Sequence, residues 1–192
     1  MKTIHKEESI KVRNNIPIIQ NISIAETQNN LSLVPTATSL GVYNEDGDKY
    51  EKFQAIRNNA TGEVKEIFKD SYWLVQHTDV LDTVSDICLD VGLKGKLNVH
   101  TSDDGNRMTA FYTFDDKIIP DDAEGIQYGI MVENSFNAAC PIRISSYGVR
   151  LVCTNGMTAK FAFTKTSRMH TMTPGQKPPS IRPELMTMVK EA

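Results

Sequence analysis

The sequence predicts an α+β fold in which antiparallel β-hairpins pack with one or two helices. Three observations lead there. Residues 80–91 carry apolar side chains at helical spacing, residues 96–114 read as two strands around a tight turn, and no segment reads as a βαβ crossover.

Taken in order, residues 1–40 are expected to form an N-terminal arm. Asn14, Asn15, Asn21, Asn29 and Asn30 crowd this stretch, and Pro17 and Pro35 interrupt it. Within it the apolar run Ile16–Ile19 has the composition of an edge strand or a docking segment. The core domain is expected over residues 41–172, with an early turn at Glu45-Asp46-Gly47-Asp48. Tyr72-Trp73-Leu74-Val75 reads as a short strand. Val80, Leu81, Val84, Ile87, Cys88 and Val91 then follow at spacings of three and four. Thr78 or Asp79 supplies an N-cap oxygen, Asp79 and Asp82 put negative charge on the first turn, and Gly92 supplies the stop.

Lys96–Ser102 and Arg107–Phe114 flank Asp103-Asp104-Gly105-Asn106, whose Asp-Gly pair suits the positive φ of a hairpin turn. Asp115–Glu124 is an acidic loop. Gly125–Asn134, Pro141–Val152 and Lys160–Thr166 read as further strands. Pro174, Pro178, Pro179 and Pro183 make residues 173–192 a Pro-rich C-terminal arm, with the start of a helix at 184–191.

The 192 residues are 40% hydrophobic and 23% charged, which suits one globular domain. No apolar run approaches the roughly 18 residues needed to cross a bilayer. Met1–Ile10 has no apolar h-region. Cys88, Cys140 and Cys153 are odd in number and form no CxxC, which points to reduced thiols and a cytoplasmic location. Net charge is −3, unevenly divided: residues 1–138 hold 13 Lys+Arg against 22 Asp+Glu, and residues 139–192 hold 8 against 2. The basic C-terminal part suits an anionic partner, or pairing between the halves or between subunits.

Neither GxxxxGK[ST] nor GxGxxG occurs, so no nucleotide cofactor is expected. His5, His77, His100 and His170 are scattered and share no zinc spacing with a cysteine, so no metal is expected. Asp103-Asp104, Asp115-Asp116 and Asp121-Asp122 fall in predicted loops and read as solvated turn residues. The nearest approach to a catalytic pair is Cys153 with His170. Cys153 closes a predicted strand, where a buried thiol is expected, so no catalytic residue is expected.

Between Arg143 and His170 the chain fits binding better than chemistry. Arg143, Arg150, Lys160, Lys165 and Arg168 are interleaved with Tyr147, Phe161 and Phe163. Phosphates demand cations and every base has a π-face, so this set is the candidate site for single-stranded nucleic acid. An ordinary sheet with core aromatics and solvated cations has the same interleaving.

From Tyr72 to Thr171 the chain resembles a phage- and plasmid-associated family of unknown function. Three stretches carry the likeness. They are Tyr72-Trp73-Leu74-Val75-Gln76-His77-Thr78-Asp79-Val80-Leu81-Asp82 ending at Gly92; Val132-Glu133-Asn134-Ser135 with Ala138 and Ala139; and Val149-Arg150-Leu151-Val152-Cys153-Thr154-Asn155-Gly156 followed by His170-Thr171. Its helix and hairpins are also distantly similar to phage single-strand annealing proteins. The resemblance implies a mobile-element protein that binds single-stranded nucleic acid in recombination or annealing, inside the host cell. A homo-oligomer is expected from the apolar N-terminal run, the Pro-rich tail and the opposite charge of the two halves. The alternative is a protein-binding anti-defence or regulatory factor whose acidic 1–138 surface contacts a host protein or mimics DNA.

Overall fold

The computed structural model describes residues 15–118, 126–151, 158–172 and 180–191, with backbone alone at 15–16, 116–118, 149–151, 158–164 and 190–191. Among these residues the fold is a sheet-rich α+β arrangement of two antiparallel sheets. The larger sheet has the order β1 (Asn15–Ser23), β5 (Gly95–Ser102), β6 (Arg107–Ile118), β7 (Ile126–Ser135), β8 (Ile142–Leu151) and β9 (Thr158–Arg168). The smaller is a meander of β2 (Ala37–Tyr43), β3 (Lys49–Asn58) and β4 (Val64–Lys69). The helices are α1 (Thr27–Asn30), α2 (His77–Asp90) and α3 (Ile181–Glu191).

Alternation builds the main core. On β5, Leu97 and Val99 are buried while Lys96 is exposed; on β6, Met108, Ala110, Tyr112 and Phe114 turn inward. Ile130, Val132, Ile142 and Ile144 continue the same face, and Val80, Leu81, Val84, Ile87 and Cys88 of α2 pack on it. Each fully buried aliphatic of this kind contributes roughly 1.5–3 kcal/mol. The β5–β6 turn is the expected one: Gly105 has φ +68, and Asp104 accepts from Ser102 Oγ at 2.7 Å and from the Asn106 amide at 3.1 Å.

Helix α2 stops as the sequence predicts. Gly92 sits at φ +80, its amide donates to Leu89 O at 2.9 Å, and Leu93 donates to Cys88 O at 2.8 Å, a Schellman pair. Its start differs. The N-cap is Gln76, not Thr78 or Asp79, and it makes no side-chain cap bond. The Gln76 amide instead clamps the backbone of Ala37, accepting from its N at 3.0 Å and donating to its O at 2.9 Å.

The expected strand Tyr72–Val75 is a buried connector. Its ladder contact is one isolated bridge, Tyr72 to Thr171, while Tyr72, Trp73 and Val75 are all buried. A continuous apolar run can be core on every side without joining a sheet.

Both expected arms contain core structure. Residues 15–23 pair with β5 at the sheet edge, as the Ile16–Ile19 run suggested, and Ile19, Ile24 and Val34 are in the main core. Ser23 and Glu26 close a capping box. At the other end, α3 packs on α2 and buries Leu185 and Met188. Arg182 binds Asp86 at 3.1 Å and Asp90 at 2.7 Å, both on α2. A short apolar stripe sufficed to dock each segment despite its Asn or Pro content. Pro174, Pro178 and Pro179 lie outside the described residues.

The small sheet joins the large one through a second cluster of Ala37, Ile56, Tyr72 and Phe136. Asn58 adds a polar tie, donating to Asp104 O at 2.7 Å and Asn106 Oδ1 at 3.0 Å.

Candidate functional site

The predicted basic site is split by the strand register. Arg143 pairs with Glu133 and Ser167, Lys165 pairs with Ser145, and position 160 pairs with Val149. These positions share one face of the β8–β9 pair, since alternate residues share a side. Position 150 pairs with Ile126, and Arg168 pairs with Ile142, on the opposite, helix-bearing face. The five cations therefore do not form one groove. The side chains of Arg150, Lys160, Phe161 and Phe163, and all of Cys153, Asn155 and Gly156, lie outside the described residues.

Three predicted contact residues have structural partners. Arg168 Nε donates to Glu184 Oε2 on α3 at 2.5 Å. Arg143 donates to Glu133 at 2.5 Å, and Arg107 donates to the other oxygen of the same carboxylate. Burial would push the Glu133 carboxyl up, but the hydrogen bonds and charges of Arg107 and Arg143 hold it below the usual range. This ladder across β6, β7 and β8 keeps one positive charge in excess. Tyr147 cannot stack bases, because it is buried, shares a hydrogen bond with Thr113 Oγ1 at 2.6 Å and meets Phe111 edge-on. Lys165 is exposed.

A pocket lies at the end of the same strands. Its volume is about 330 Å³, and Phe68, Tyr72, Ala138, Cys140, Met169 and His170 are among its walls. Two short staples bring the walls together: Trp73 N donates to His170 O at 3.0 Å, and Met172 N donates to Ser71 O at 2.8 Å. Phe68 stacks on Tyr72 with centroids 4.0 Å apart, and Tyr72 stacks on His170 at 5.6 Å. Tyr72 Oη donates to Phe136 O at 2.8 Å. Ala138 holds φ +54, a left-handed conformation uncommon without glycine.

The thiol, phenol and imidazole here are held toward their neutral forms, and Lys69 also lines the pocket. Burial pushes the Cys140 thiol and the Tyr72 hydroxyl up and pushes His170 down. Behind the pocket, His77 is fully buried, stacked on Phe136 and lowered to about 3 by burial. The helical thiol Cys88 is pushed up to about 12. Neither described thiol has the depressed pKa that makes a nucleophile. Among the described residues there is no group of three metal-ligating side chains, and no helix is long and apolar enough to cross a membrane.

Sequence reasoning did not assemble this pocket, although its resemblance motifs named Tyr72, Ala138, Ala139, His170 and Thr171 separately. Those stretches, far apart in the chain, meet here. No protein-family model, no curated protein and no solved structure matches the chain.

Proposed function

We propose that this chain binds single-stranded nucleic acid without catalysing a reaction on it, as a protein of a mobile element. The observation that supports this is the placement of Arg143, Lys165 and position 160 on one face of β8–β9, with Arg143 and Lys165 in successive rows of that face. That face sits in the segment where five cations, Arg143 to Arg168, meet no acid in sequence. The contact is to phosphate, because Tyr147 is not free to stack. A mixed-sequence single-stranded oligonucleotide tested by electrophoretic shift at several salt concentrations checks the proposal. Binding that weakens steeply with salt is expected. No shift at about 50 mM salt, where phosphate contacts are strong, removes it.

A second reading, protein binding, rests on the small sheet. Tyr43, Tyr50, Phe53, Val64 and Ile67 are all exposed on β2–β4 or the turn between its strands. Self-association or a host partner uses such a surface. Sedimentation of wild type against Phe53→Ser/Ile67→Ser tests it, with an unchanged monomer in both excluding self-association there.

A further inference from the structure

We infer that two copies of this chain join through the free edge of β2, strand against antiparallel strand about a two-fold axis at Leu40, so that their small sheets become one continuous sheet. The inference rests on the protein-binding reading of the small sheet and names its partner. It is independent of the phosphate grip.

The edge is open. Ala37 turns its N–H and C=O away from β3, to the Gln76 side chain. Backbone direction alternates along a strand, so Ser39 and Gly41 also present theirs on the side away from β3, while Thr38 and Leu40 bond Arg57 and Ala55. The sheet has no further strand on that side, and Ser39 and Gly41 are exposed.

The edge is also unguarded. Native sheets blunt their edges with charge, proline or irregularity. In the large sheet, β1 carries Pro17, register shifts and Asn21 at φ +52, and β9 carries Lys165 and Arg168. In the small sheet, β4 carries Lys65, Glu66 and Lys69. Strand β2 reads Ala37-Thr38-Ser39-Leu40-Gly41-Val42-Tyr43, with no charge and no proline, and its register is regular from Ala37 to Gly41.

Self-complementarity selects a second copy. With Leu40 on the axis, Ser39 exchanges backbone hydrogen bonds with the partner's Gly41, and Gly41 with the partner's Ser39. Thr38 faces the partner's Val42, so no position meets a like charge. Leu40 faces the partner's Leu40 in the closer, non-hydrogen-bonded kind of pair. Leu40, Ala55 and Ile67 form one row across β2, β3 and β4, on the face away from Ala37 and Ile56. Leu40 is half-buried and Ile67 is 58% exposed, and pairing continues this apolar row into its own image. A foreign strand would satisfy the same backbone groups without continuing the row. The two-fold contact uses up the edge, so association closes at a dimer.

Sedimentation equilibrium of the full chain, from low to high micromolar concentration, tests this on wild type, Leu40→Lys, Leu40→Glu, an equimolar mixture of those two, and Phe53→Ser/Ile67→Ser. Ser39→Pro removes an outward amide and no β2–β3 bond, and it serves as the edge variant if a charge at position 40 unfolds the sheet. Wild type is expected to dimerise. Leu40→Lys and Leu40→Glu should each self-associate about tenfold more weakly or worse, because like charges meet across the axis, and their mixture should recover the dimer. Ser39→Pro should weaken the dimer, and Phe53→Ser/Ile67→Ser should keep it. A wild type that stays monomeric overturns the inference and leaves the exposed sheet to a host partner. A dimer unmoved by Leu40→Lys, Leu40→Glu and Ser39→Pro overturns the edge pairing alone, and its loss in Phe53→Ser/Ile67→Ser then keeps the contact on the sheet face. A mixture that stays monomeric while wild type dimerises overturns the register at Leu40.

Discussion

Trp73 and His170 hold each other by a reciprocal pair of hydrogen bonds: the Trp73 amide donates to His170 O at 3.0 Å, and His170 Nδ1 donates to Trp73 O at 3.1 Å. The pair locks the entry to α2 against the exit from β9 and fixes the imidazole tautomer at the pocket. Burial requires the ring to stay neutral, against the backbone hydrogen bonds to Trp73 and Cys140, which favour the charged form.

That requirement makes stability depend on pH. His77 is lowered to about 3, by burial first, and it donates from Nε2 to Gly105 O at 3.3 Å while its Nδ1 accepts from Asn134 at 2.9 Å. Below the unfolded histidine pKa of about 6.5 the unfolded chain binds a proton that the folded chain refuses. Stability is therefore full above about 6.5 and falls as pH drops toward the folded value. Urea unfolding between pH 6.5 and 5 is expected to show this loss. His77→Gln should lower its slope by about 1.4 kcal/mol per pH unit. His170→Phe should lower it in the same sense, since burial also depresses His170. An unchanged slope in both variants would show that the rings are protonated in the folded protein.

Gly129 is predicted to be irreplaceable in β7. A Cβ there would sit 2.2 Å from Tyr112 O and 2.6 Å from Tyr147 Cζ. The backbone cannot yield cheaply, and the Tyr147 ring is itself buried. Gly129→Ala should cost about 1–3 kcal/mol by overpacking. Calorimetric melting measures it, and a neutral result would mean that the β6 backbone at Tyr112 and the Tyr147 ring both give way at no cost.

Leu185 separates an arm from a docked helix. It is 1% exposed and belongs to the main core. Leu185→Ala should cost about 2–5 kcal/mol as a core truncation. A residue on a free arm would cost almost nothing, so chemical denaturation of this one variant decides the matter.

The sequence made the local signals legible and left the distant ones hidden. Helix α2 showed its face because its apolar residues recur at 3.6-residue spacing, and the β5–β6 hairpin showed itself through Asp104-Gly105. Strands β2–β4 went unseen because Tyr43, Tyr50, Phe53, Val64 and Ile67 are exposed, so the alternation that marks a half-buried strand is blurred. Strand β1 was legible only over Ile16–Ile19, because register shifts and Asn21 at φ +52 break the alternation of the rest. The basic residues were visible as a set, but facing is fixed by register. The shift between Ser146 and Tyr147 in the β8–β9 pairing is not written in composition. The pocket required Tyr72 to meet Thr171, a contact that no local pattern encodes.

The register makes one last prediction, which sets two cations of the original site against each other. Lys165 is exposed on the face of Arg143, whereas Arg168 lies on the other face and is held by Glu184. Lys165→Ala should weaken single-strand binding for all sequences and lower the slope of log affinity against log salt by about 0.7, the value per phosphate contact. Arg168→Ala should leave that slope alone. It should instead loosen α3, by no more than about 1 kcal/mol because the ion pair is partly exposed. Salt titrations and melting curves on the two variants give four readings. Loss of slope in Lys165→Ala alone places the strand on the Arg143 face. Equal loss in both variants means that Arg168 exchanges Glu184 for phosphate and that α3 moves on binding. Loss in Arg168→Ala alone puts the grip on the helix-bearing face and ends the case for Arg143 and Lys165.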